Sequence, residues 1–169
     1  MKKILVSVDL SPATFRVCSA AADLARSIGG RLVILNAPPS LNPVVYGFDA
    51  FTAAQVVAFD RKARKSAAHK MQALQHWFNK RCPGTKMALH EGVPADVILK
   101  SARRINADYI VIGSHGHGAM YDLFAGSTAR EVLRKSTCPV VLVPIAKKTG
   151  IIRPKTTLLS FTGRPWVNA

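Results

Sequence analysis

A chain of 169 residues, 49% apolar and 20% charged, buries about two-thirds of its unfolded surface on folding, which excludes a disordered chain and a mini-protein needing a metal or disulfide staple. Its three cysteines, Cys18, Cys82 and Cys138, are odd in number and form no CxxC; this excludes a disulfide framework, a zinc ribbon and a dithiol redox site, and suits a reducing compartment. The formal charge of +15 opens three classes of partner: nucleic acid, an anionic membrane surface or a polyanionic ligand.

Residues 3–8 read as a short buried strand that Asp9 ends. Ser11 and Pro12 predict a helix start, serine as N-cap and proline in the first position. Phe15, Cys18, Ala22 and Ala25 recur at three- and four-residue steps as its apolar face. Gly29-Gly30 closes it. Residues 31–36 form a second apolar strand, followed by a loop with Pro38, Pro39, Pro43 and Gly47. A long amphipathic helix is expected over 53–80, with Val56, Phe59, Ala63, Ala67, Met71, Leu74 and Phe78 as its buried stripe. Its basic block, Arg61, Lys62, Arg64, Lys65 and Lys70, reads as a solvated face. Residues 87–90 form a third strand. Pro94 opens a helix through Val97, Ile98 and Ala102 to Ile105, and residues 109–112 form a fourth strand. A glycine-rich loop then leads to a helix starting near Ser127, with Val132 and Leu133 inward. Residues 140–143 form a fifth strand.

Strands that are continuous apolar runs, each followed by a helix, predict an α/β fold: an open five-stranded parallel sheet with helices on both faces. Residues 1–146 form one domain. Residues 147–169 carry five basic and no acidic residues and read as a basic tail, either disordered or an arm. No stretch approaches the ~20 apolar residues of a membrane span, and the first apolar run is too short for a signal peptide, so the expected location is cytoplasmic.

In such a sheet, ligands bind beyond the carboxyl ends of the strands. Asp9 lies there, and so does the loop from Gly113. Gly126-Ser127 immediately precedes a helix, whose free N–H groups and dipole suit a phosphate. Ser127 and Thr128 add hydroxyls, and Arg130 is within a turn. The loop is not a Walker P-loop, since no lysine precedes its serine. His115 and His117 have no third metal ligand at a recognisable spacing, so no protein metal site is assigned; His117 is a candidate hydrogen-bond partner for phosphate. Asp122 and Glu131 do not form a catalytic pair, and no nucleophile turn is present.

Gly113, two residues, Gly116, nine residues, then Gly126-Ser127 resembles the G-2x-G-9x-G-(S/T) pattern of the ATP-binding subgroup of the universal stress protein family. The opening 3–11, Gly92-Val93-Pro94-Ala95, and the strands at 107–114 and 138–144 resemble the same family in the same order. The resemblance implies a Rossmann-like, adenine nucleotide alpha hydrolase-like fold with strand order 3-2-1-4-5, and a homodimer through the fifth strand. It implies ATP, with magnesium or manganese held mainly by phosphates and water. Asp9 would sit by the nucleoside and the backbone of Ala37 by adenine. Gly113, Gly116, His117, Gly126, Ser127 and Thr128 would surround ribose and phosphates. Leu10 stands where the family often has glycine, which narrows the space near the nucleoside. Asn36-Ala37 stands where His-Val is frequent. The function implied is nucleotide-dependent stress response through an unidentified protein partner, with at most slow ATP hydrolysis. The alternatives are a nucleotide-cleaving enzyme on this fold, a nucleic-acid-binding module, and a scaffold that has lost ATP.

Overall fold

The structure is a computed structural model, and it describes residues 1–39, 50–114 and 126–145. Five strands alternate with four helices among these residues: β1 (Lys3–Val8), α1 (Thr14–Ile28), β2 (Arg31–Asn36), α2 (Ala50–Arg81), β3 (Lys86–Leu89), α3 (Pro94–Ile105), β4 (Tyr109–Gly113), α4 (Ser127–Lys135) and β5 (Val140–Val143). All strands are parallel, in the order β3-β2-β1-β4-β5. The central register pairs Val6 with Ile34 on one side and with Val111 on the other.

Two-residue alternation explains why the strands are apolar throughout. Successive side chains of a strand point to opposite faces, and here both faces are covered. Ile4, Val6 and Val8 of β1 pack with Val17, Cys18, Ala21 and Ala22 of α1 and with Met71, Leu74 and Phe78 of α2. Leu5, with Ile110 and Ile112 of β4, packs on the other face against Ile98, Leu99 and Ala102 of α3 and Val132 of α4. Gly29 takes φ 62° at the end of α1, the left-handed conformation that glycine adopts without strain.

Three expectations are corrected. First, Ser11 does not cap α1. It makes a turn, its Oγ accepting from the Ala13 N–H at 3.1 Å and its carbonyl from the Thr14 N–H at 3.0 Å, and the helix begins at Thr14. Val17 and Ala21 join Cys18, Ala22 and Ala25 on the buried face, and Phe15 is 54% exposed. Phe15 meets the edge of Trp77 on α2, ring centroids 6.1 Å apart.

Second, the stripe of α2 is buried only from Met71 onward. Val56 and Ala67 are half-buried, Ala63 is exposed, and Phe59 is 68% exposed. The reason is length. Thirty-two residues of helix run about 48 Å, while strands of four to six residues run about 13–20 Å. Lys70, whose Nζ reaches the Leu10 carbonyl at 3.4 Å, is level with the top of β1. The turns before it extend past the sheet.

Third, Leu133 is 44% exposed, because Ala129 and Val132 take the inner face of α4. β3 begins one residue earlier than expected and ends at Leu89. All three cysteines are free thiols, and burial pushes that of Cys18 up to about 12.

Candidate functional site

Parallel strands bring all their carboxyl ends to one edge, and helices on opposite faces leave a crevice where the strand order reverses. That point lies between β1 and β4. A cavity of about 520 Å³ opens there, within the range of small-molecule sites. Its floor is the ends of β1, β2 and β4: Val8-Asp9, Asn36-Ala37 and Ile112-Gly113-Ser114. Its walls are the first turns of α1, α3 and α4, through Thr14, Pro94, Ile98 and Gly126 to Ala129.

The side chains at the rim hold one another in place. The Asn36 amide, on a residue 5% exposed, donates to the Val8 carbonyl at 2.9 Å and ties β2 to β1. The Asp9 carboxylate accepts from the Ser11 N–H at 3.0 Å. Buried Ser114 joins three segments. Its N–H donates to the Val143 carbonyl at 2.8 Å, its Oγ accepts from the Ile145 N–H at 3.0 Å, and its carbonyl accepts from the Gly126 N–H at 2.6 Å. That last bond sets where α4 begins.

The α4 terminus opens into this cavity. Gly126 is the N-cap in an extended conformation and makes no side-chain cap bond. The first helical N–H groups therefore have no intrahelical acceptor. Among the described residues, no lysine or arginine lines the cavity, and Asp9 is its one charged residue. Any anion in it would be held by backbone N–H groups, hydroxyls and the helix dipole. Thr14 supplies a second sign of a missing partner. The residue is 4% exposed and lines the cavity, yet its Oγ1 has no hydrogen-bond partner. Buried hydroxyls are normally satisfied, so this one fits a site with a polar ligand.

The structure brings six of the expected residues together: Asp9, Ala37, Gly113, Gly126, Ser127 and Thr128 all line the cavity. Gly116, His117 and the tail lie outside the described residues. Arg130 is exposed and is not on the cavity wall. The sequence reading missed Thr14, Asn36, Pro94, Ile98 and Ser114. Asn36 and Ser114 had a signal: each is a polar residue closing a buried apolar strand. No group of three or more metal-ligating side chains occurs among the described residues.

A profile of the universal stress protein family matches residues 1–144. The chain belongs to the universal stress protein family. Universal stress protein A homolog 1 of Coxiella burnetii is 30% identical over 142 residues, covering 84% of this chain and 95% of that protein. Among solved structures, the universal stress protein UspA from Lactobacillus plantarum aligns with TM-score 0.64 at 22% identity, over 84% of this chain and 97% of that one. The universal stress protein from Archaeoglobus fulgidus in complex with dAMP aligns with TM-score 0.51 at 24% identity, over 85% and 98%.

Against the universal stress protein pattern, the Leu10 departure has a different consequence from the one expected. Its side chain is directed at the α1/α2 core and is not on the cavity wall, so it does not narrow the site. The cost falls on the backbone. Leu10 sits at φ 59°, a left-handed conformation that costs a side-chain-bearing residue about 1–2 kcal/mol. Glycine at this position in the family fits the same turn.

Proposed function

We propose that this universal stress protein binds ATP in the cavity at the β1/β4 switch point. The nucleoside lies between Asp9 and the Ala37 backbone. The phosphates lie at the α4 N-terminus, with Gly113, Gly126, Ser127 and Thr128 around them and Gly116 and His117 on the same loop. The observation that carries the reading is the uncapped first turn of α4 opening into a cavity that also holds the unpartnered Thr14 hydroxyl. The glycine spacing and the dAMP carried by a relative of this fold support adenine nucleotide chemistry. Magnesium is taken with the nucleotide, held mainly by phosphates and water. The protein acts in the cytoplasm as a nucleotide-dependent stress-response regulator, dimeric through β5, whose Val141 is 36% exposed on the sheet edge. An exposed apolar edge favours pairing. Hydrolysis is slow, since Asp9 is the one charged residue on the described wall.

Calorimetric titration with ATP and magnesium tests this. The comparison is a Gly126→Val, Ser127→Ala double variant whose fold is checked by circular dichroism. Binding by the parent chain and its loss in the folded variant is expected. Absence of binding by protein shown to be free of nucleotide refutes the proposal.

A further inference from the structure

The extension of α2 past the sheet leaves a second feature that the nucleotide site does not use. The helix carries seven basic residues and one acidic residue. At 100° per residue, Arg61, Lys62, Lys65, His69, Gln72 and His76 fall on one arc of about 100°. All six are exposed. The arc runs about 22 Å along the helix and contains no acid.

Five acids among the described residues are engaged with other cations. Asp60 accepts from Arg64 Nε at 2.6 Å, and Glu91 pairs with the same guanidinium. Asp108 holds Lys2 at 2.8 Å. Asp23 pairs with Arg26, and Glu131 with Arg134 and Lys135. No ion pair to Arg61, Lys62 or Lys65 occurs among the described residues. Three exposed cations within five residues, with no ion pair among the described residues, repel one another and favour a polyanion.

The kind of polyanion follows from what flanks the arc. Phe59 is 68% exposed and lies one turn before Lys62, about 60° outside the arc on that side. Val57, 56% exposed, lies about 40° outside the arc on the Arg61 side. These two large apolar residues are about 160° apart around the helix. No single insertion face contains both, as an interfacial membrane helix requires. The arc itself offers amide and imidazole groups between its cations. An open aromatic ring beside a row of cations is the arrangement that binds single-stranded nucleic acid, with phosphates on the cations and a base stacked on the ring.

We propose that the outer face of α2 binds single-stranded nucleic acid without reading its sequence, through Arg61, Lys62 and Lys65 to phosphates and Phe59 to a base. The test is fluorescence anisotropy of a labelled 20-nucleotide oligothymidylate on the full chain across a salt series. Binding that weakens with salt is expected. Arg61→Glu with Lys65→Glu weakens it at least ~tenfold and lowers the salt slope by roughly one to two units. Lys100→Glu with Arg103→Glu, the same charge change on exposed positions of α3, has much less effect. Phe59→Ala weakens the oligonucleotide ~fivefold or more and leaves a duplex of the same length nearly unaffected. All positions are exposed, and thermal melts confirm folding. Equal losses in the two charge-reversal variants overturn the proposal, because net charge would then suffice. So does binding to anionic phospholipid vesicles without binding to the oligonucleotide, or no oligonucleotide binding by the parent chain.

Discussion

Replacing Thr14 by valine removes the one buried side-chain polar atom without a partner among the described residues and keeps the shape of the side chain. In the ligand-free protein the hydroxyl has given up water and gained nothing, a penalty of about 1–3 kcal/mol. Valine substitutes a methyl group at a residue 4% exposed and adds a small apolar gain. The helix propensities of the two residues differ by only ~0.1–0.2 kcal/mol. The net expectation is a ligand-free protein more stable by about 1–2 kcal/mol, or a Tm higher by about 3–6 °C for a domain of this size. The proposed nucleotide complex moves the other way. A neutral hydrogen bond from Thr14 Oγ1 to the ligand, worth about 0.5–1.5 kcal/mol, is lost, and Kd for ATP rises by about three- to tenfold. Scanning calorimetry of the nucleotide-free protein reads the first effect and titration calorimetry the second. A Tm that stays level or falls would refute the reasoning, since the hydroxyl would then be satisfied without a ligand. A raised Tm with unchanged Kd would separate Thr14 from the nucleotide.

The two halves of α2 should respond in opposite ways to truncation. Phe78→Ala, at a residue 0% exposed, costs about 3–5 kcal/mol in urea unfolding, whereas Phe59→Ala, 68% exposed, changes stability by less than about 0.5 kcal/mol. At the end of α3, Asn106 sits at φ 49°; Asn106→Ala should cost about 1 kcal/mol in thermal unfolding, while Asn106→Gly should be neutral or better. The hydrogen bond from Lys2, with that from the Lys3 N–H, holds the Asp108 carboxyl below the usual carboxylate range. A depressed carboxylate contributes stability above its unfolded pKa and loses it as pH falls through the folded one. Asp108→Asn should therefore flatten the fall in Tm below about pH 4, and a parent-like acid limb in the variant would exclude this pair as a contributor.

The elements that could be read in the sequence are those whose signals are local. The apolar strands 3–8, 31–36 and 140–143 match the observed ones; for the two central strands, burial on both faces leaves no polar face to blur the signal. Pro94, Gly29 and Gly126 mark helix ends through the backbone geometry each allows. Asp9 followed from the end of the first strand, and Ala37 from the family resemblance; both line the cavity. What went unread depends on what lies across from a residue. Helical periodicity identified the apolar side of α2 from Val56 to Phe78, but whether anything covers that side depends on the length of the sheet, and only the last third is covered. The start of α1 moved because the turn at Leu10 and Ser11 is set by packing of Leu10 on the core. Thr14, Asn36 and Ser114 are unremarkable letters in separate segments. The sequence alone determined which segments become strands and helices and that Gly126 precedes a helix, because those depend on neighbours along the chain. Only the tertiary structure decided which side chains close the cavity and which face of α2 stays open, because both depend on parallel strands bringing distant segments to one edge.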